Sequence, residues 1–134
     1  MRRVLPIILA AAGVLLSLDI VGALAGKPLG FPYSQLSAVS LLVYLAAGAL
    51  GAWRTNFAWG LAAAITVGFL DGTLGPLTAW LIGPGPVDQT ITEPGVFAYG
   101  IAVVTATATA AGIIGSLAGS WLERRRAIRG VVVR

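Results

Sequence analysis

Two carboxylates stand where apolar sequence surrounds them. Asp19 lies in Leu16-Ser17-Leu18-Asp19-Ile20-Val21, and Asp71 lies in Gly68-Phe69-Leu70-Asp71-Gly72-Thr73-Leu74-Gly75-Pro76. An aspartate at the centre of a membrane-spanning helix costs about 2.5–3.5 kcal/mol on insertion scales, so such a group faces protein or water and often belongs to a transport path. The chemistry open to it is the binding of a proton or a cation. Thr73 and Thr78 add hydroxyl oxygens to the same stretch. Pro76 has no N–H for the carbonyl of Gly72, and neighbouring glycines loosen the backbone, so a kinked or partly unwound helix is predicted at Gly72, Gly75 and Pro76. Carbonyls freed in that way, beside a carboxylate, are how several transporter folds hold a cation. The plainer alternative is that both aspartates are protonated or hydrogen-bonded inside a packed interface, with Asp19 reaching the outer headgroups.

Other chemistries are missing their reagents. The chain has no cysteine and no histidine. Disulfides, thiolate nucleophiles, imidazole bases and zinc sites of the usual kind are therefore excluded. There is no nucleophile motif, metal-ligand cluster or cofactor fingerprint, so an enzyme is not expected, and no catalytic residue, metal or cofactor is assigned.

The elements that must position Asp19 and Asp71 follow from composition. Of 134 residues, 57% are hydrophobic and 10% charged, and the mean hydropathy is +0.91. A water-soluble domain carries roughly a quarter of its residues charged, so the expected class is an all-α integral membrane protein. Crossing about 30 Å of hydrocarbon takes about 20 apolar residues in a helix. Segments of that kind run from about residue 4 to 25, 36 to 53, 57 to 82 and 97 to 121, followed by a basic tail over 122–134. The whole chain forms one transmembrane domain.

The breaks carry turn chemistry. Gly26, Pro28, Gly30 and Pro32 crowd the first loop, and Arg54-Thr55-Asn56 is a connector so short that the second and third helices must be antiparallel neighbours. The loop over 83–95 is the longest polar stretch, and its only charges, Asp88 and Glu93, are acidic. Arg2, Arg3, Arg54, Arg124, Arg125, Arg126, Arg129 and Arg134 fall on one side of the four spans and Lys27 on the other. By the positive-inside rule both termini are cytoplasmic, in a multi-pass protein of the inner or plasma membrane. Trp53, Trp59 and Trp121 then mark the inner interface, and Tyr33, Trp80, Phe97 and Tyr99 the outer one. The first segment, with Arg2-Arg3 before it and Ala23-Leu24-Ala25 near its end, also imitates a signal peptide. Its apolar run is long for a signal core, and it is read as a helix.

Small residues recur four apart: Gly22 and Gly26, Gly48 and Ala52, Gly60 with Ala64, Gly68 and Gly72, then Gly115 and Gly119. In lipid such ridges let helices approach closely, so most of these glycines are packing devices. Thr105, Thr107 and Thr109 in the fourth helix suit hydroxyl bonds to the carbonyl one turn back better than a pore lining. The arginine run is a topological anchor able to attract anionic lipid, and its setting beside an apolar span argues against nucleic acid as partner. A faint repeat, Leu18-Asp19 with Leu70-Asp71 and Gly51-Ala52-Trp53-Arg54 with Gly119-Ser120-Trp121, makes two two-helix units conceivable.

The expectation is a compact four-helix bundle in the lipid bilayer. A bundle this small hardly encloses a path alone. A transport role therefore calls for a homo-oligomer or a larger complex with Asp71 at the shared interface. The competing role is an accessory subunit that fills space or holds a partner.

Overall fold

In the computed structural model, which describes residues 2–29, 36–82 and 93–131, the chain forms helices α1 (Leu5–Leu29), α2 (Leu36–Arg54), α3 (Phe57–Ile82) and α4 (Pro94–Val131). All four are long and apolar enough to cross a membrane. The middle connection has a clear local cause. Thr55 turns its hydroxyl back to the carbonyl of Gly51 at 2.6 Å, and Asn56 caps α3 by accepting the backbone N–H of Trp59 at 3.1 Å. One helix is closed and the next opened within three residues, so α2 and α3 are antiparallel neighbours.

Three helix limits differ from the sequence expectation. The last helix begins at Pro94 rather than near residue 97, because proline fits the first helical position, where no N–H is needed; Glu93 accepts the N–H of Phe97 at 3.1 Å. The same helix continues to Val131, so the stretch expected as a tail after 121 is helical for ten more residues. Glu, Arg and Ala are good helix formers, and neither glycine nor proline interrupts them before Gly130. At 1.5 Å per residue, α4 is about 57 Å long and overshoots the hydrocarbon layer. The first helix also runs past Ala25 and ends just beyond Pro28. The rest of the first loop and positions 83–92 of the acidic loop lie outside the described residues.

Helices α2, α3 and α4 pack against one another, and α1 lies against α2 and α3. About half of the buried apolar residues are alanines, Ala47, Ala52, Ala63, Ala64, Ala108 and Ala111, beside Val4, Ile7, Leu15, Tyr44 and Val67, while Leu9, Leu42, Leu81, Ile114 and Tyr99 are more than 60% exposed. Water does not favour that distribution, and hydrocarbon does. Gly48 and Gly112 meet across α2 and α4 so closely that a methyl group on Gly48 would stand 2.8 Å from the carbonyl oxygen of Gly112. A methyl on Gly112 would stand 2.5 Å from the Cβ of Ala64 on α3. Gly68 likewise packs on Ala108, Gly115 on Leu45, and Gly119 on Ala49. The small-residue ridges of α2, α3 and α4 are thus spent on close contact with the backbone or Cβ atoms of a neighbouring helix.

The basic ends come together. Arg126 of α4 stacks on Trp53 of α2, and Pro6 of α1 shares a groove with Arg54. The beginning of α1, the end of α2 and the distal part of α4 therefore share one end of the molecule.

Candidate functional site

Asp71 is half-buried on α3, and the Tyr44 hydroxyl, on α2, donates a hydrogen bond to its Oδ2. Tyr44 is only 3% exposed, so its ring is fixed by packing before its hydroxyl reaches the carboxylate. Ser40, one turn earlier on α2, also meets the Tyr44 hydroxyl. Asp19 projects from α1 onto Gly75, one turn beyond Asp71: a methyl group at Gly75 would stand 2.7 Å from the Asp19 carboxylate. The absence of a side chain at Gly75 is what lets α1 bring this carboxylate against α3.

The two aspartates share walls. A small cavity of about 10 Å³, close to the size of one water, lies between α1 and α3 and is bordered by Leu15, Asp19, Asp71 and Gly75. A larger cavity of about 380 Å³ is lined by all four helices: Asp19 from α1, Ser37, Ser40 and Tyr44 from α2, Asp71, Gly72, Gly75 and Pro76 from α3, and Gly100, Val103, Val104 and Thr107 from α4. Its polar atoms are carboxylate and hydroxyl oxygens, without a cationic side chain among the lining residues. Such a surface favours a proton or a positively charged group over an anion. Among the described residues no group of three or more carboxylates gathers.

The expected residues divide. Asp19, Asp71, Gly72, Gly75 and Pro76 meet at one cavity, although Asp19 and Asp71 are far apart in the chain. The helix, however, is not unwound at Gly72, Gly75 and Pro76: α-helix runs unbroken from Phe57 to Ile82 with Pro76 inside it. Neighbouring helices hold the backbone through this point, as they do for many prolines in membrane helices. Gly72 faces α4, where an added methyl would stand 3.2 Å from the Cα of Ile101. Thr73 is not among the residues lining either cavity, and its exposed hydroxyl donates to the carbonyl of Phe69 at 2.7 Å. Thr78 is not among the residues lining either cavity. In α4, Thr107 and Thr109 bond back to Val103 and Thr105 as expected, whereas the buried hydroxyl of Thr105 has no such partner.

Tyr44, Ser40 and Ser37 escaped the sequence reading. A tyrosine within a span resembles one more apolar residue, yet a signal existed. Equal steps outward from the tight turn at Thr55-Asn56 place Asp71 level with Ser40, and a tyrosine one turn away is long enough to reach it.

No protein-family model matches the chain, and no curated protein or solved structure shows significant similarity to it.

Proposed function

We propose that the chain is a component of a membrane transporter or channel for an ion or small solute. It works as a four-helix bundle in the cell membrane, with both termini cytoplasmic, assembled as a homo-oligomer or within a larger complex. The observation that carries this reading is the meeting of Asp19 and Asp71, from different helices, at one cavity of about 380 Å³. A carboxylate retained in hydrocarbon has a cost, and two of them facing the same cavity suit a proton or cation site. Asp71 is the coupling group; Tyr44 orients it, and Asp19 adds a second negative charge. The clustering of basic residues at one end of the molecule supports the orientation, because cytoplasmic flanks are rich in arginine. Oligomerisation follows from size: four helices that meet largely through small residues are too few to enclose a path by themselves.

A second reading keeps a specific observation on its side. The Tyr44 bond gives the Asp71 carboxylate an internal partner, which is what an accessory subunit with no path would need.

Flux into proteoliposomes separates the two. With protons, sodium and potassium as probes, the wild type is expected to pass at least one of them, and Asp71→Asn is expected to lower that flux at least tenfold. Flux that survives the substitution unchanged removes Asp71 from the mechanism. Absence of flux for every probe favours the accessory role, which a native mass of the purified complex then tests by revealing a partner chain.

A further inference from the structure

We propose that the basic end of the molecule holds a binding site for the phosphate group of an anionic phospholipid, between Trp53 of α2 and the arginines of α4. The continuation of α4 as helix beyond Trp121 creates it. One turn above Trp121, the Arg125 guanidinium lies 3.5 Å from the centre of the Trp121 ring; Arg126 reaches back across to α2 and lies 4.5 Å from the centre of the Trp53 ring. Stacking on an indole uses the face of a guanidinium and leaves its N–H edge free, so both groups are oriented without being consumed.

Arg125, Arg126, Trp53 and Leu122 line one cleft of about 400 Å³. The guanidinium edges match the oxygens of a phosphodiester, for which arginine is the best-suited side chain. Glu123 is the acidic neighbour on α4, set against three successive arginines, so the end remains net positive. Tryptophan marks the depth of the headgroups, which places lipid phosphate at the level of the cleft. Inorganic phosphate offers the same oxygens but has nothing to lay against Leu122 and the indole of Trp53. The glycerol and first methylenes of a lipid do.

This site is independent of the cavity at Asp71 and rests only on the embedding of the four helices in a bilayer. The test is a lipid titration of the full chain in neutral detergent, read by native mass spectrometry, with phosphatidylglycerol, phosphatidylcholine and inorganic phosphate as separate probes. Phosphatidylglycerol is expected to be retained in preference to phosphatidylcholine, with no competition from an equal concentration of inorganic phosphate. Each guanidinium removed by Arg125→Gln or Arg126→Gln is expected to weaken binding about fivefold. Trp53→Leu, which keeps every charge, is expected to weaken it severalfold by releasing Arg126. Arg124→Gln, outside the cleft, serves as the control and is expected to change binding less than twofold. A loss as large for Arg124→Gln as for Arg126→Gln, or no effect of Trp53→Leu, would overturn the site in favour of diffuse attraction. Full competition by inorganic phosphate would overturn the lipid as its ligand.

Discussion

The contact of α2 with α4 and the region around Asp19 and Asp71 are built from the same kind of residue, yet they end as opposites. At Gly48, Gly115 and Gly119 the space left by a missing side chain is filled by the backbone of another helix, and at Gly112 by the Cβ of Ala64. At Gly75 its nearest occupant is the Asp19 carboxylate, and at Gly100 nothing lies within 4 Å of an added methyl. Glycine therefore means close packing in one place and cavity in the other. What decides is whether the opposing helix presents a flat backbone or a polar side chain. The first region gains dispersion contacts and little else; the second keeps room for a ligand beside two carboxylates.

The largest effect should come from filling the packed region. Gly112→Leu forces a side chain against the Cβ of Ala64, which is fixed to the α3 backbone and cannot swing aside as the neighbouring Leu61 side chain can, and overpacking of this kind costs about 1–3 kcal/mol or more. Gly13→Leu, with nothing within 4 Å of the added Cβ, should leave stability within about 0.5 kcal/mol. Reversible unfolding in mixed micelles measures both. Equal losses at the two positions would erase the distinction between filled and open glycines.

Much of this contrast is invisible along the chain. The spans are readable because the bilayer sets a length that hydropathy must meet, and the limits of α3 are readable because Arg54-Thr55-Asn56 leaves no room for error. The start of α4 was obscured by Pro94, which resembles a loop residue until its place at the first helical turn is known. Its end was obscured by arginines, whose charge marks the end of a membrane span but not the end of a helix. At the site, two misplaced carboxylates drew notice through their cost. Their juxtaposition is a tertiary fact, since Asp19 was as free to face α2 or lipid as to face Gly75. The expected unwinding at Pro76 failed for the same reason, because propensity is local and the neighbours that hold the helix are not.

An intermediate effect is expected where the two regions differ most in chemistry. Tyr44→Phe removes the hydroxyl that donates to Asp71 while keeping the ring that packs in the core. Hydrogen bonds between membrane helices average about 0.6 kcal/mol and reach about 1.7, because the chain finds other partners in the unfolded state. A half-buried carboxylate should sit at the upper end of that range. A double-mutant cycle of Tyr44→Phe with Asp71→Leu measures the coupling directly. A coupling near zero would mean that Asp71 is satisfied by something other than Tyr44, and the site would lose its orienting group.

The smallest effect belongs to the polar bond inside the packed region. Ser116 is fully buried and donates from α4 to the carbonyl of Gly48 on α2 at 3.3 Å. That distance is long for a hydroxyl donor, and the accepting carbonyl has a second lone pair for its own helix. Ser116→Ala keeps the Cβ in contact and removes only the hydroxyl, so a loss near the average of about 0.6 kcal/mol is expected. Ser17→Ala, whose exposed hydroxyl donates to Gly13 in its own helix at 2.8 Å, should fall below detection in the same unfolding measurement. A loss at Ser116 rivalling that of Tyr44→Phe would show that the α2–α4 contact is held by polar bonds as well as by shape. The two regions would then differ in the room they leave and not in the forces that bind them.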